Sequence, residues 1–306
     1  MINGIINIYK EKGYTSHDVV AKMRGILRIK KIGHTGTLDP EAEGVLPICI
    51  GKATKAVDLI VEKNKTYEAI LKLGIVTDTQ DMTGSVLRTS QVDIDLEGIV
   101  KLAEGFIGGY YQTPPMYSAL KVNGKKLYEL ARQGKEVERK PRWVDIHNIQ
   151  ILEYEPRENE VKLIVDCGRG TYIRTLLHDI GEIHGCGGSM KDLVRTRVGG
   201  FNVKDSLRLS QVEEYVRQGT IDNHITKIDD LFLSYPKVIV SNKYNKLIYN
   251  GNSFREEHLD NLQEFIYDAS QNNISVRVYD SDGVFIGIYS YKKKDKVFHT
   301  EKMFLQ

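Results

Sequence analysis

The chain has 306 residues, 41% of them hydrophobic and 27% charged, and its 43 basic and 41 acidic side chains leave a net charge of +2. This composition is typical of a globular protein with one large domain, or a large and a small one. No run of apolar residues is long enough for a transmembrane helix, and no secretory signal is visible. The three cysteines (Cys49, Cys167 and Cys186) are too widely spaced for a zinc site or a disulfide framework. These features predict a cytoplasmic protein.

The first third of the chain predicts a helix, an irregular loop, a second helix and a strand. Residues 16–28 place apolar side chains on one helical face, and Ser16 is a suitable N-cap. Residues 33–47 contain three glycines and two prolines without hydrophobic periodicity, which indicates a shaped loop that holds Asp39 in a fixed place. Residues 53–61 are helical in pattern, and residues 67–73 alternate as a half-buried strand does.

The middle of the chain predicts a short strand, a helix and then an insertion. Residues 86–88 follow a polar turn and form the strand, and an apolar face within residues 99–107 marks the helix. Residues 112–143 include a Pro-Pro pair and continue as a basic, polar stretch with a short helical piece near 127–131. Because this stretch does not fit a regular core element, it is interpreted as an excursion from the main domain.

The second half predicts a strand leading into a long helix, and then a small β-rich domain. Residues 161–167 are apolar and β-branched, and a Gly-Arg-Gly turn connects them to a helix that ends at Gly185. Ser210 and Glu213 have the spacing of a capping box for a further helix. After a linker near 230–236, short strand-like runs are separated by Asn, Asp and Gly; they lie at 237–240, 274–279, 284–289 and 297–299.

Basic side chains concentrate in three clusters although the net charge is small. Residues 22–31 hold five basic and no acidic side chains and run directly into the loop around Asp39. The other clusters lie within 121–142 and within 292–296, the last beside two tyrosines. Most charged runs are solvated faces, but basic clusters with interleaved aromatics beside a reactive loop favour a nucleic-acid partner.

Two motifs resemble those of a known family. The run Gly33-His34-Thr35-Gly36-Thr37-Leu38-Asp39-Pro40 closely resembles the active-site motif of the TruB family of pseudouridine synthases, and Gly168-Arg169-Gly170-Thr171-Tyr172-Ile173-Arg174 resembles its second motif. The resemblance covers roughly residues 3–230. It implies an α+β pseudouridine synthase fold with a mixed, largely antiparallel sheet in residues 1–232, an RNA-binding insertion at about 117–143, and a PUA-like RNA-binding domain at 236–306.

The resemblance also implies roles for eight residues. Asp39 is the nucleophile, or the base that starts glycosidic cleavage; Arg174 is its ion-pair partner; and Tyr67 stacks on the target uracil and takes the proton from C5. The substrate-binding residues implied are His34, Lys55, Asp81, Tyr172 and Leu193, with Lys55 expected in the pocket wall or near a phosphate. The reaction rearranges one glycosidic bond without loss of atoms or change of oxidation state, so neither a cofactor nor a metal is expected.

Each of these residues also has a structural interpretation. Asp before Pro commonly starts a turn, and an aromatic residue at the start of a strand is usually a core residue. A lone lysine at a helix start, such as Lys55, is usually solvated. Tyr172 and Arg174 lie off the apolar face of their predicted helix, as a solvent-facing pair would. The catalytic interpretation therefore depends on the motifs occurring together.

The sequence thus predicts an isomerase: a tRNA pseudouridine synthase that flips uridine 55 out of the T-arm stem-loop and acts as a monomer without an obligate protein partner. Three other functions compete with it. They are a guide-RNA-dependent pseudouridine synthase, a non-catalytic tRNA-folding protein, and a metal-dependent hydrolase that uses Asp39, His34 and Asp81. Activity on bare tRNA would argue against a guide-dependent enzyme. A tRNA-folding protein would keep its folding activity in Asp39→Asn, and a metal-dependent hydrolase would be inhibited by a chelator.

Overall fold

The computed structural model describes residues 2–122, 124–263, 265 and 273–305, so the predicted insertion and C-terminal domain each include positions outside the described residues. The helices are α1 Ser16–Leu27, α2 Val57–Val61, α3 Leu96–Glu104, α4 Leu127–Ala131, α5 Ile173–His184, α6 Leu209–Gln218 and α7 Asn245–Tyr249. Short 3-10 helices lie at Gly51–Ala56, Val203–Asp205, Ile221–His224, Asp229–Phe232, Asn242–Tyr244 and Glu256–His258. The strands are β1 Gly4–Lys10, β2 Ile32–His34, β3 Glu43–Ile50, β4 Lys65–Leu73, β5 Ile75–Thr77, β6 Val86–Thr89, β7 Tyr110–Gln112, β8 Lys121–Val122, β9 Lys125–Lys126, β10 Arg142–Val144, β11 Ile146–Glu155, β12 Glu160–Cys167, β13 Gly188–Val198, β14 Phe201–Asn202, β15 Lys237–Ile239, β16 Phe254–Arg255, β17 Asn273–Tyr279, β18 Phe285–Lys292 and β19 Val297–Met303.

A mixed sheet forms the centre of the larger part of the protein. Its strands lie in the order β1-β3-β13-β4-β12-β11, with β2 paired to β3 and β14 to β13. The strands of this sheet are antiparallel to their neighbours except β3 and β13, which pair in parallel. Because β1 occupies one edge of β3, β2 and β13 share the other edge, and the loop 35–42 that joins β2 to β3 lies beside β13.

Two groups of helices pack on this sheet. Leu176, Leu177 and Ile180 of α5 and Ile99 of α3 are buried in the cluster that includes the inward side chains of β4, β11, β12 and β13. Helices α1 and α6 instead cover β1, β2 and β3. The amphipathic faces of these helices therefore enclose the sheet and leave the ends of its strands to form the site. No helix among the described residues is long and apolar enough to span a membrane.

A second, five-stranded sheet lies in the C-terminal part, with the order β15-β17-β18-β19-β16 and its own apolar cluster. It packs directly on the first part: Ile288 and Phe304 share a buried cluster with Ala56 and Ile60, and Lys302 forms an ion pair with Asp58. The predicted domain boundaries at 232 and 236 fall just before β15, and they stay a prediction.

Three local predictions were wrong. The loop predicted at 33–47 extends only over 35–42, because the residues from Gly44 to Ile50 form a strand buried at every position and therefore show no alternation. Thr15, not Ser16, caps α1 by accepting a hydrogen bond from the Asp18 N–H (3.1 Å). Helix α6 begins at Leu209, and Gln211, rather than the predicted Ser210–Glu213 box, caps it by accepting from the Arg208 N–H (2.8 Å).

The junction of β3 and β13 requires glycine at position 44. Gly44 has φ +103°, and a Cβ there would collide with the backbone of Arg195. We expect Gly44→Ala to lower the free energy of unfolding by about 3 kcal/mol, because the left-handed conformation and the collision both add to its cost. Denaturant unfolding followed by circular dichroism measures this change.

Gly219→Ala is the matched control for this substitution. Gly219 follows α6 with φ +72°, and a Cβ there meets nothing within 4 Å. Alanine at position 219 therefore adopts the unfavourable left-handed conformation without a collision. We expect Gly219→Ala to lower the free energy of unfolding by about 1 kcal/mol. Equal losses in the two variants would contradict a close approach of β3 and β13 at Gly44.

Candidate active site

The loop 35–42 presents Asp39 at the end of the sheet and is fixed from several sides. Ser16, the first residue of α1, binds both backbone groups of Leu38: its Oγ accepts from the N–H (2.9 Å) and donates to the carbonyl (3.2 Å). The Pro40 carbonyl accepts from Lys10 Nζ (3.0 Å) and from the Gly13 N–H (2.9 Å). Asp39 thus lies between two anchored residues, and its own side chain is 39% exposed.

Arg174 brings Asp39 and Asp81 together. Its Nε lies 2.9 Å from Asp39 Oδ2, and its Nη1 lies 3.3 Å from Asp81 Oδ2. The guanidinium also donates to the carbonyls of Thr79 (2.9 Å) and Tyr117 (2.8 Å), and only 5% of the side chain is exposed. The solvent-facing interpretation of Arg174 was therefore wrong: this side chain is buried and links the Asp39 loop, the β5–β6 hairpin and the start of the insertion.

A cavity of about 340 Å³ opens beside Asp39. Its lining contains four of the predicted site residues, Tyr67, Tyr172, Arg174 and Leu193, in addition to Asp39. The start of the insertion, Ser118 to Leu120, forms part of its wall. A larger cavity of about 610 Å³ lies elsewhere, beside the β13–β14 turn, and none of the predicted site residues lines it.

Tyr67 and Arg195 meet at the floor of this cavity. Tyr67 pairs with Arg195 across β4 and β13, and both side chains are buried. Burial raises the pKa of Tyr67, and the Arg195 guanidinium opposes that shift by favouring the phenolate. Arg195 also donates to the carbonyls of Val45 (2.7 Å) and Gly36 (3.1 Å), so the same side chain holds the Asp39 loop against the sheet.

A buried hydrogen-bond network fixes Tyr172. Gln112 accepts from the Tyr172 N–H (2.8 Å) and donates to the Tyr172 carbonyl (3.0 Å), so its amide clamps this residue from both sides. Gln112 also donates to Tyr110 Oη (2.6 Å), which in turn donates to Asp179 (2.8 Å). Burial raises the pKa of Tyr172, which keeps its phenol neutral in the cavity wall.

The remaining predicted residues occupy different positions. His34 ends β2, one residue before the cavity lining begins; its ring contacts His17 edge to face, and burial lowers its pKa. Asp81 is buried and reaches the site only through Arg174. Lys55 lies away from the cavity, where its ammonium donates to the Leu305 carbonyl (2.9 Å). Lys55 therefore does not lie in the pocket wall, one of its two expected places, and its position near a phosphate stays a prediction.

Two residues that support the site were missed as candidates. Arg195 lies in β13 and Lys10 lies in β1, two strands that were not predicted. Lys10 is fully buried, and burial lowers its pKa to about 8. A charged side chain inside an apolar strand was the available signal, because such a residue needs internal partners. Among the described residues there is no group of three metal-ligating side chains.

Comparisons with known proteins match this architecture. The TruB family pseudouridylate synthase N-terminal domain matches residues 24–173, and the tRNA pseudouridylate synthase B C-terminal domain matches residues 174–234. Proteins named tRNA pseudouridine synthase B are similar over nearly the whole chain. The one from Lachnoclostridium phytofermentans is 52% identical over 99% of this chain and 100% of that protein, and the one from Clostridium perfringens strain SM101 is 43% identical over 100% of both.

Among solved structures, the chain is similar to one in the crystal structure of a Cbf5-Nop10-Gar1 complex. The TM-score is 0.72 at 25% identity, and the match covers 99% of this chain and 85% of that one. The predicted α+β pseudouridine synthase fold, with its mixed sheet and β-rich C-terminal region, is therefore confirmed, as is the predicted class of enzyme, an isomerase. The chain belongs to the TruB family of pseudouridine synthases.

Proposed function

We propose that this chain isomerises uridine 55 in the T loop of tRNA to pseudouridine. The observation that carries the proposal is the pair formed by Asp39 and Arg174 at 2.9 Å, with a partly exposed carboxylate and a buried guanidinium beside a cavity of about 340 Å³. The guanidinium holds the carboxylate in a fixed position beside the cavity, as a nucleophile or base must be held. The relatives named tRNA pseudouridine synthase B support tRNA as the substrate.

The reaction uses residues that already line or adjoin the cavity. The target nucleotide flips out of its stack into the cavity, and Asp39 acts as the nucleophile or as the base that starts cleavage. The bond from N1 to C1′ breaks, the base turns, and a bond from C5 to C1′ forms. Tyr67 takes the proton of C5 as the phenolate, the form that the Arg195 guanidinium favours, and N1 takes a proton from solvent, so atoms and electrons balance without a cofactor. Tyr172 and Leu193 form the walls on either side of the base, and the neutral ring of His34, the residue before Thr35 of the cavity lining, stacks on the RNA.

The rest of the chain serves RNA binding in this proposal. The insertion at about 117–143 closes over the T loop, and its start is already tied to the site by the hydrogen bond from Arg174 to the Tyr117 carbonyl. Residues 236–306 act as a PUA-like RNA-binding domain. The chain works as a monomer in the cytoplasm, where its three buried cysteines stay reduced.

Tritium release tests this function directly. A T-arm stem-loop labelled at C5 of every uridine is incubated with the purified chain alone, and the same RNA with cytidine at position 55 is the control. Release of one tritium per wild-type stem-loop and none from the control is expected. Release from both RNAs would contradict the assignment of position 55.

The same measurement separates the alternatives. A guide-dependent enzyme releases nothing from bare RNA until guide RNA and partner proteins are added. A non-catalytic tRNA-folding protein binds the stem-loop without release under any condition. Either result would overturn the proposal of a stand-alone enzyme.

A further inference from the structure

Two aromatic side chains at the base of the insertion take no part in the site described above. Tyr111 of β7 pairs with Trp143 of β10, and their rings meet edge to face with centroids 5.4 Å apart. The exposed fractions are 70% for Tyr111 and 53% for Trp143. Aromatic side chains of this size are usually well buried, and adjacent exposed ones mark an interaction surface. These two residues are called the aromatic platform below.

The Trp143 ring is held in position without any ligand. Its Nε1–H donates to Asp145 Oδ1 (2.9 Å), which fixes the orientation of the indole. The ring also lies against Gly109, where a Cβ would approach Trp143 Cζ2 to 2.9 Å. An indole fixed in this way loses little conformational freedom when a ligand stacks on it, so the platform is preorganised for binding.

The platform is connected to the wall of the Asp39 cavity. Asp145, which holds the indole, accepts a backbone hydrogen bond from Gly168 (2.9 Å), and the next residues, 169–174, line the cavity. On the other strand, Tyr111 is followed by Gln112, whose amide clamps Tyr172. The platform is therefore built on strands that hydrogen-bond directly to the cavity wall, and a polymer must extend beyond that wall to contact both.

The charge around the platform favours an anionic ligand. Residues 121–142 contain eight basic and three acidic side chains, so this segment has a net charge of +5. Arg142 and Lys140, just before Trp143, are exposed. Aromatic rings flanked by cations are the combination that stacks nucleobases and neutralises phosphates.

We propose that Tyr111 and Trp143 stack on a base of the RNA substrate other than the one that enters the cavity. This inference rests on the proposed function and adds a second RNA contact to it. Stacking on an aromatic ring contributes about 1–3 kcal/mol per base, or roughly 5- to 150-fold in affinity. The platform therefore contributes to holding the stem-loop while the target nucleotide is flipped.

The fluorescence of Trp143 tests the platform directly, because Trp143 is the sole tryptophan of the chain. The wild-type protein is titrated with the unlabelled T-arm stem-loop while the indole is excited selectively. We expect quenching that saturates at one RNA per protein. The same titration of free N-acetyltryptophanamide corrects for absorption by the RNA.

Affinity measurements by filter binding test the energetic contribution. Trp143→Ala and Tyr111→Ala are each expected to raise the Kd for the stem-loop about tenfold. Trp143→Phe keeps an aromatic ring and stays within about threefold of wild type. Ile183→Ala is the matched control, because Ile183 is 65% exposed at the far end of α5, and its Kd should not change.

Salt dependence distinguishes stacking from charge. The ratio of the Kd of Trp143→Ala to that of wild type should stay constant as salt is raised, because a stacked ring releases no counterions. Arg142→Gln should instead reduce the slope of log Kd against log salt. If Trp143→Ala reduced the slope of log Kd against log salt as Arg142→Gln does, the ring would act only by shaping the basic surface. That result would overturn the proposal.

Failure of the platform and failure of the proposed function give different results. Two results overturn the platform alone, provided that tritium release is normal. One is Trp143 emission that does not change with RNA, and the other is a Kd within twofold of wild type in both alanine variants. Saturable quenching without tritium release supports the platform and overturns the reaction. Trp143 emission that changes with protein concentration in the absence of RNA would assign the rings to a contact between copies of the chain, and would also overturn it.

Discussion

Asp39→Asn is expected to abolish tritium release and to leave the Kd for the T-arm stem-loop within about threefold of wild type. Asparagine has the same shape and can still accept a hydrogen bond from Arg174, but it has neither the negative charge nor the basicity of a carboxylate. Removal of a catalytic nucleophile lowers turnover by roughly 10⁴-fold or more. Single-turnover tritium release and filter binding measure the two quantities on the same protein.

Asp81→Asn is the matched control, because both carboxylates contact Arg174. The Asp81 side chain is only 11% exposed, and its Oδ1 accepts hydrogen bonds from Thr79 and Thr83 instead of reaching the cavity. We expect it to retain turnover within about tenfold of wild type and to lose about 1–2 kcal/mol of stability. Equal losses of turnover in the two variants would assign the effect to the ion-pair network and not to chemistry at Asp39.

The sequence predicted those parts of the fold whose signal is local. Helix α5 has one apolar face and a glycine at its end, and its predicted end at Gly185 agrees with the structure, where Gly185 follows His184 in the left-handed conformation. Strands β12 and β17 are apolar runs between turns, and the structure extends each by one residue. Periodicity and capping were sufficient in these cases because they depend on neighbours along the chain.

Strands β3 and β13 could not be predicted in this way, whereas β1 is an apolar, β-branched run that does carry the local signal of a strand. Strand β3 is buried on both faces and contains Gly44 and Pro47, so it has the composition of a loop. Strand β13 combines apolar residues with Lys191, Asp192 and Arg195, and it has irregular register with β4. The burial of Arg195 depends on carbonyls that come from Gly36 and Val45, and this relation exists only after β13 pairs with β3.

The candidate site also contains residues that the sequence identifies and residues whose positions depend on the folded chain. Asp39, Tyr67 and Arg174 were identified through the resemblance to the family, and the structure places them around one cavity. The positions of Lys55 and Lys10 depend on contacts between distant segments: Lys55 with Leu305, and Lys10 with Pro40. No local pattern encodes such contacts, so the sequence indicates neither the contact of Lys55 with the C-terminal segment nor the support that Lys10 gives to the Asp39 loop.

Arg174→Met is expected to cause the largest combined loss of stability and turnover. Methionine fills most of the volume but leaves four acceptors without their donor: Asp39, Asp81 and the carbonyls of Thr79 and Tyr117. Removal of one partner from a buried ion pair costs about 3–5 kcal/mol. Turnover falls as well, because Asp39 loses its cation and the insertion loses its anchor. Denaturant unfolding and tritium release measure these effects, and Arg174→Lys, which keeps the charge but not the geometry, should lie between Arg174→Met and wild type.

The cost of Arg174→Met should come mainly from Asp81, because that carboxylate is 11% exposed whereas Asp39 is 39% exposed and can be hydrated. Adding Asp81→Asn to Arg174→Met removes the uncompensated buried charge and should restore about 1–2 kcal/mol of stability. Adding Asp39→Asn instead should restore almost nothing. Neither double variant should regain turnover, because the cation beside Asp39 is still absent. Greater recovery with Asp39→Asn would mean that Asp39 is the more buried carboxylate, and would contradict an Asp39 side chain that is open to the cavity.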